Sequence, residues 1–247
     1  MAWGARGRAA EAFRHADAPD SAAPWREADW CAVDLELTGL DPGTDEIIAI
    51  GAVPIHDGRL ILGRSYYSLV RPGRAPSRTA VVIHKLRTAD LADAPPLSAA
   101  IDGLLAVLAG TVPVFHTAWV EQAFLGRALR RLRVRLPDAA DTEVLGRRWA
   151  AGREDGVPSH LGGEAGVPSH FGGGGGAPSH LGLARLAELL GLPAEPPHHA
   201  LGDALTTAKA FIALASLLDA GEPQTAGSLV RAGADEAPAG ARRFGPA

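Results

Sequence analysis

The sequence predicts an α/β fold in which a mixed β-sheet is covered by helices. Two observations predict it. Residues 30–70 carry three successive strand patterns separated by turn residues, and residues 97–218 then combine a short apolar strand with helical patterns. Strands that come first and afterwards alternate with helices are typical of a mixed sheet that buries its faces under helices.

The first three strands are predicted at residues 30–37, 46–55 and 60–70. Their apolar residues alternate with other residues at the two-residue period of a strand. The turn-forming stretches DPGTD (41–45) and HDG (56–58) separate them. Turns of this kind favour an antiparallel meander.

The helices are predicted from apolar residues at three- and four-residue spacing. They are expected at residues 97–109, 118–134, 141–150, 182–190 and 200–218, with a short apolar strand at residues 111–116. The arginine-rich stretch RALRRLRVR (127–135) lies on and just after the second of these helices. It could face a phosphate backbone, or it could be a solvated helix face.

A ten-residue repeat precedes the fourth helix, with the copies GVPSHLGGEA, GVPSHFGGGG and GAPSHLGLAR. Five consecutive glycines (172–176) cannot form a stable helix or strand. We therefore interpret residues of about 152–180 as a flexible insert. His160, His170 and His180 recur at a fixed spacing, which leaves a metal-binding tract as the alternative.

The two ends of the chain show no sustained periodicity. Residues 1–27 are expected to be a disordered arm, and residues 220–247, rich in Ala, Gly, Pro and Arg, a disordered tail. The folded domain is therefore predicted at residues 28–219.

Composition excludes several classes of protein. Apolar residues make up 47% of the chain and charged residues 21%, which is ordinary for a globular protein. The lone Cys31 excludes an internal disulfide, so a cytoplasmic location is expected. No uninterrupted apolar run is long enough for a membrane span, so no membrane association is expected. A net charge of −4 argues against binding nucleic acid through bulk positive charge alone.

Two acids interrupt the otherwise apolar first strand. Asp34 and Glu36 lie two residues apart, so they share one face at roughly 7 Å spacing. They could simply face solvent. However, Glu121 falls in the first turn of a later helix, and Asp203 falls near the start of the longest one. Neighbouring carboxylates repel unless a cation neutralises them, and such hard oxygen ligands suit Mg²⁺ or Mn²⁺. Four acids and a histidine match phosphodiester hydrolysis with two metal ions.

Three motifs resemble those of the DnaQ-like DEDDh exonucleases. VDLELTGL (33–40) resembles the first motif, HTAWVEQAFL (116–125) the second and HHALGDA (198–204) the third. This family includes the epsilon proofreading subunit of bacterial replicative polymerase, ribonuclease T and oligoribonuclease. The order and spacing of the three motifs make the resemblance specific, and it covers about residues 28–219.

The resemblance implies a ribonuclease-H-like fold, with a five-stranded mixed sheet flanked by helices, and two bound ions, Mg²⁺ or Mn²⁺. It also implies a role for each matching residue. The implied metal ligands are Asp34, Glu36, Glu121 and Asp203. His198 would accept the proton of the attacking water, and Thr38, Gly39 and Leu40 would lie against the terminal nucleotide.

The second motif departs from the family. Glu121 stands where an aspartate is usual, and Thr117 where an asparagine is usual. Lys85 also replaces the glycine that usually follows His84. A longer carboxylate remains a suitable ligand if it reaches its ion through water. The alternative for Glu121 is an acid that only interacts with the helix dipole, at roughly 0.3–1 kcal/mol.

The function expected from this resemblance is a metal-dependent 3′–5′ exonuclease. It would release nucleoside 5′-monophosphates from single-stranded 3′ ends of DNA, and an association with a DNA polymerase is a further expectation. One alternative is an exoribonuclease acting on RNA or short oligonucleotides. The other is a catalytically silent nucleic-acid-binding module, for which Glu121 is the only support.

Overall fold

The computed structural model describes residues 8–152 and 181–234, with only the backbone of residues 232–234. The strands are β1 (Trp30–Leu37), β2 (Ile47–His56), β3 (Arg59–Leu60), β4 (Tyr66–Leu69), β5 (Val112–Phe115) and β6 (Ala140–Asp141). The helices are α1 (Arg8–His15), α2 (Arg78–His84), α3 (Leu97–Leu108), α4 (Ala118–Arg130), α5 (Thr142–Ala151), α6 (Leu183–Leu189), α7 (Ala200–Gly221) and α8 (Ala226–Ala234).

The six strands of the described residues form one mixed sheet in the order β3-β2-β1-β5-β6, and β4 also pairs with β2. β2 runs antiparallel to β1, whereas β5 runs parallel to β1 and β6 parallel to β5. The predicted class of an α/β fold with a mixed sheet flanked by helices is confirmed, and β1, which carries both acids, is the central strand.

The strand count differs from the five implied by the family resemblance. The strand predicted at residues 60–70 is divided by a 3₁₀ turn at Leu62–Arg64, and its two parts pair separately with β2. β6 has only two residues, so it is too short for an alternating pattern to reveal it.

Two apolar cores lie on opposite faces of the sheet. Val33 and Leu35 of β1 pack with Leu104 of α3 on one face. Trp30 lies on the other face, where its ring centroid is 4.5 Å from that of Phe211 in α7. Because strand side chains alternate between faces, Asp34 and Glu36 share the face of Trp30, which is the face covered by α7.

The prediction of a disordered N-terminal arm is wrong for residues 8–27. Residues 8–15 form α1, whose Ala10 is buried in the same core as α3. Trp25 is 1% exposed, and its backbone N–H donates to the carbonyl of Gln224 at 3.1 Å. This pairing joins two segments that are about 200 residues apart in sequence, so no local pattern indicates it.

The prediction of a disordered C-terminal tail is wrong for residues 220–234. Residues 226–234 form α8, and the buried side chains of Ala226 and Leu229 belong to the core under α7. The rest of the predicted tail and the repeat at 153–180 lie outside the described residues. By length and composition alone α7 could cross a membrane, but its apolar residues pack against the sheet.

Candidate active site

The site is built where α7 crosses the central strands. Asp34 in β1 is paired with Gly51 in β2, and Gly51 lies directly under the first turn of α7. A β-carbon at Gly51 would stand 2.2 Å from the carbonyl oxygen of Ala200, a distance that real contacts do not reach. Glycine at this position therefore allows the start of α7 to approach β2, and this approach brings Asp203 over Asp34.

Three of the predicted acids meet here. Asp34, Glu36 and Asp203 each place a carboxylate oxygen within 4.8 Å of those of the other two. Glu36 is 8% exposed, whereas Asp34 and Asp203 are partly exposed. No lysine or arginine of the described residues forms an ion pair with any of them. Protons or bound cations must therefore compensate their charge.

The carboxyl groups repel one another, and their pKa values reflect it. Burial raises the pKa of Asp34 well above its usual range, and the charges of Asp203, Glu36 and Glu121 raise it further. Burial and the charge of Asp203 raise the pKa of Glu36 to about 8. Burial also raises the pKa of Asp203, while the backbone N–H of His198 opposes the rise. Paired acids of this kind attract a multivalent cation.

The fourth acid comes from the first turn of α4. Glu121 is 8% exposed and lies outside the group of three, but its charge contributes to the pKa of Asp34, so it faces the same region. Its Oε2 is buried without a hydrogen-bond partner among the residues that the structure describes. Burial raises the pKa of Glu121 well above its usual range, and the charge of Asp141 adds to this.

Asp141 fixes the start of α4. Its Oδ1 accepts the backbone N–H of Thr117 at 3.1 Å, and its Oδ2 accepts that of Ala118 at 2.8 Å. Thr117 has the left-handed φ of 65°, a conformation that asparagine adopts more readily than threonine. The structure thus explains the asparagine usual in the family and leaves Thr117 strained at the base of the helix that carries Glu121.

The two adjacent histidines of the third motif have different surroundings. His198 is exposed, has a φ of 64°, and donates its backbone N–H to Oδ2 of Asp203 at 2.8 Å. His199 instead caps α7, because its Nδ1 accepts the backbone N–H of Gly202 at 3.3 Å. Its ring also stacks on Tyr67 with centroids 4.8 Å apart. Both histidines are therefore near Asp203, and His199 in addition caps α7 and stacks on Tyr67.

The turn after β1 carries Thr38, Gly39 and Leu40, which are predicted to lie against the terminal nucleotide. Thr38 is 1% exposed, and its hydroxyl donates to Oδ1 of Asp45 at 2.8 Å and accepts the N–H of Glu46 at 3.0 Å. The side chain of Thr38 therefore orders the turn, and the contact of Thr38 with the terminal nucleotide stays a prediction. Gly39 is partly exposed and packs against the Asp45 carboxylate, where a β-carbon would be only 2.4 Å away. Leu40 is 48% exposed, as a contact for a base requires.

Sequence reasoning missed three contributors to the site. Gly51 had no signal beyond a glycine inside a strand pattern, which can mark a close backbone approach. Asp141 was placed at the start of a helix without its role of holding α4. Tyr67 is 38% exposed, lies near Glu36 and stacks on His199. It belongs to β4, whose pairing partners cannot be predicted from the sequence.

The residues fit divalent cations. All four acids offer hard oxygen ligands, no described basic side chain pairs with them, and the partnerless Oε2 of Glu121 is the kind of buried atom that a ligand or a water would satisfy.

Lys85, which stands where the family has glycine, has the left-handed φ of 61° expected of that position.

Comparison with known proteins agrees with the geometry. Residues 31–146 match the model of the RNase_T family, described as "Exonuclease". Residues 31–146, just under half of the chain, therefore form a domain that matches the exonuclease family. The match begins within β1 and extends into α5, so it includes the first two motifs, and the predicted family resemblance is confirmed.

The curated relatives of this exonuclease domain are longer proteins. A DNA polymerase III subunit epsilon-like protein of Rhodobacter capsulatus is 30% identical over 200 residues, which cover 80% of this chain and 25% of the relative. A PolC-type DNA polymerase III of Thermotoga petrophila is 28% identical over 194 residues, covering 78% of this chain and 12% of the relative. The chain thus spans a quarter or less of the length of these proteins.

Solved structures share the fold at lower identity. Exonuclease X, solved with a 5′-overhanging duplex DNA, superposes with a TM-score of 0.56 and 22% identity, covering 82% of this chain and 98% of that one. E. coli exonuclease I, solved with a dA16 oligonucleotide, gives a TM-score of 0.59 and 17% identity, covering 78% of this chain and 41% of that one. These values show that the chain shares the fold of the two structures, in agreement with the predicted mixed sheet flanked by helices.

Proposed function

We propose that the protein is a metal-dependent 3′–5′ exonuclease that releases nucleoside 5′-monophosphates from single-stranded DNA ends. The observation that carries the proposal is the meeting of Asp34, Glu36 and Asp203 within 4.8 Å in an exonuclease-family domain. Glu121 and His198 complete the set of residue types that this reaction requires.

Each residue has a role in the proposed reaction. Asp34, Glu36 and Asp203 hold two divalent ions, with Glu121 directly or through water. When bound, Mg²⁺ or Mn²⁺ neutralises these acids, polarises the phosphate and lowers the pKa of a coordinated water. His198 accepts a proton from the attacking water, a task that a histidine imidazole performs as a general base. Leu40 packs against the terminal base.

The carboxylates by themselves would repel the phosphodiester. Because the pKa of Glu36 is raised to about 8, this carboxyl is partly protonated near neutral pH in the ion-free site, so ion binding must also displace protons. Metal affinity should therefore rise with pH over this range.

The preference for DNA is supported by the names of the relatives, which are DNA polymerase III proteins, and by the DNA complexes of two structural neighbours. A further neighbour is a 3′-exonuclease that recognises a histone mRNA stem-loop, so RNA is the second candidate substrate. An association with a polymerase is proposed from the same names. A cytoplasmic location follows from the lone, buried Cys31.

The deciding experiment is hydrolysis of end-labelled single-stranded DNA, duplex DNA and RNA in Mg²⁺ or Mn²⁺. The wild type should shorten single-stranded DNA from its 3′ end and lose all activity in EDTA. Asp34→Asn should abolish turnover while the protein remains folded by circular dichroism. Strong activity in EDTA or in Asp34→Asn would exclude the proposed site. Faster hydrolysis of RNA than of DNA would favour the second candidate substrate.

A further inference from the structure

A strongly basic segment has no role in the reaction described so far. Residues 71–87, here called the basic segment, contain five arginine or lysine residues and no aspartate or glutamate, in a chain whose net charge is −4. A local excess of positive charge in an acidic protein attracts an anionic partner and raises its local concentration.

The basic segment runs along the rim of the candidate site. The backbone N–H of Gly73 donates to Glu46, and that of Ser77 donates to the carbonyl of Thr38 at 3.0 Å, which ties the segment to the turn after β1. At its other end, the buried His84 is close enough to His198 for their charges to interact. α2 therefore lies beside the turn after β1 at one end and beside His198 at the other.

Two of the five positive charges are used within the protein. Arg87 forms two hydrogen bonds with the carboxylate of Asp90, and Arg74 donates to the carbonyl of Thr44 and lies 3.5 Å from Asp45. The other three are exposed and have no acidic partner among the residues that the structure describes. These three are Arg71, Arg78 and Lys85.

The outer face of α2 combines charge with exposed apolar surface. Ala80 and His84 are buried on the inner face. Arg78 and Val82 lie four residues apart, so they share the outer face, where Val82 is 78% exposed. Lys85 follows the last turn. Proteins that hold single strands combine positive charge with side chains, usually aromatic, on which the unpaired bases stack. Val82 is aliphatic, but it offers exposed apolar surface beside the charges.

We propose that Arg71, Arg78 and Lys85 bind the phosphates of the single strand that leads to the scissile end. The proposal rests on the proposed function and deepens it, because it makes a strand of several nucleotides the preferred substrate. Val82 then packs against an unpaired base of the strand, while Leu40 contacts the terminal one.

The test compares two double variants. Arg78→Gln with Lys85→Gln removes two of the three positive charges that are proposed to bind the strand. Arg59→Gln with Arg64→Gln is the matched control, because both arginines are exposed and Arg59 pairs with His56 at the end of β2 remote from the site. Each is assayed on single-stranded DNA of about 12 nucleotides and on the p-nitrophenyl ester of thymidine 5′-monophosphate, which has no upstream strand.

The Arg78/Lys85 variant should raise KM for the oligonucleotide on the order of tenfold and leave the ester reaction unchanged. The slope of log affinity against log salt, measured by fluorescence anisotropy, should become shallower by about 1.4, since each single-strand phosphate contact contributes about 0.7. The control should match the wild type. An unchanged KM and salt slope, or equal losses in both variants, would overturn the proposal.

The same assays separate this proposal from the proposed function. If the wild type hydrolysed neither substrate, the proposed exonuclease activity would fail, while the anisotropy measurement would still report whether Arg78 and Lys85 bind the strand. If the wild type hydrolysed both substrates and the Arg78/Lys85 variant kept the wild-type salt slope, only the proposed strand-binding role of these residues would be rejected.

Discussion

Glu121 is the residue at which this chain departs furthest from its family, and the structure gives it an environment that a helix cap would not need. The carboxylate of Glu121 does interact with its own backbone N–H, but its Oε2 is buried and no described residue satisfies it, which a cap alone would not require. The charge also acts on Asp34. These two observations favour a ligand, direct or through water, over an interaction with the helix dipole alone.

Substitution of Glu121 distinguishes the two roles. Glu121→Asp should remain active, with a changed preference between Mg²⁺ and Mn²⁺, because Mg²⁺ demands near-ideal octahedral geometry. Glu121→Gln keeps the size and removes the charge, so it should reduce turnover strongly. Turnover of both variants is measured in each metal. If Gln left turnover intact and cost less than about 1 kcal/mol of stability, the residue would be only a helix cap.

The histidine pair offers a matched comparison. His198→Asn should lower turnover by roughly 10²–10⁴-fold, because it removes the proposed base, while asparagine tolerates the left-handed backbone at this position. His199→Ala should instead lower the free energy of unfolding by about 1 kcal/mol through loss of the cap on α7.

Steady-state kinetics and urea denaturation of both variants provide the measurement. His199→Asn is the control, because asparagine restores a good cap without the ring that stacks on Tyr67. Equal kinetic losses at His198 and His199 would show that the base has been assigned to the wrong residue.

At the scale of elements, the decisive contact is that between α7 and β2. The acids of β1 and the acid of α7 meet only because the first turn of α7 rests on the backbone of Gly51. Helices and strands usually pack through side chains, so this backbone contact is closer than most. The separation between the helix and the strand therefore sets the separation between Asp203 and Asp34.

Gly51→Ala should displace the start of α7, since the added β-carbon would stand 2.2 Å from the carbonyl oxygen of Ala200. We expect a loss of about 1–3 kcal/mol of stability and roughly 10²-fold in turnover, because a displacement of about 1 Å spoils catalytic geometry. Gly63→Ala is the control, because a β-carbon there meets nothing within 4 Å. Wild-type turnover in Gly51→Ala would contradict this account of the site.

At the scale of the whole molecule, the acidic site opposes folding when no cation is bound. Burial and the charge of Asp203 raise the pKa of Glu36 to about 8, and Asp34, Glu121 and Asp203 shift in the same direction. The folded state then binds more protons than the unfolded state, whose glutamates titrate near about 4.3. Stability is therefore lost as the pH rises from that value towards 8.

In EDTA, the free energy of unfolding should fall as the pH rises from about 5 to about 8, by up to about 1.4 kcal/mol per pH unit for each titrating acid. Mg²⁺ or Mn²⁺ should stabilise the protein more at the higher pH, since the ions bind the ionised carboxylates. Urea denaturation at several pH values measures both effects. Glu36→Gln should flatten the pH dependence, and a flat profile for the wild type would refute the expectation.

The parts of this protein that depend on local period and local motif could be predicted from its sequence. A two-residue period places Asp34 and Glu36 on one face of β1, and a run of three- and four-residue spacings places Asp203 in the first turn of α7. The helices from α3 to α7 and the order of the motifs follow from the same kind of signal, because each depends on residues within one or two turns.

The way in which these parts meet depends on contacts that no local pattern encodes. Gly51 against Ala200, Asp141 holding the start of α4, and Trp25 bonded to Gln224 all join residues that are remote in sequence. The same is true of the terminal helices α1 and α8, which are too short to be stable alone and are held by the burial of their apolar residues against the rest of the fold. The physical reason is that helix and strand patterns record which face is apolar, whereas the partner of that face is chosen by the packing of the whole chain.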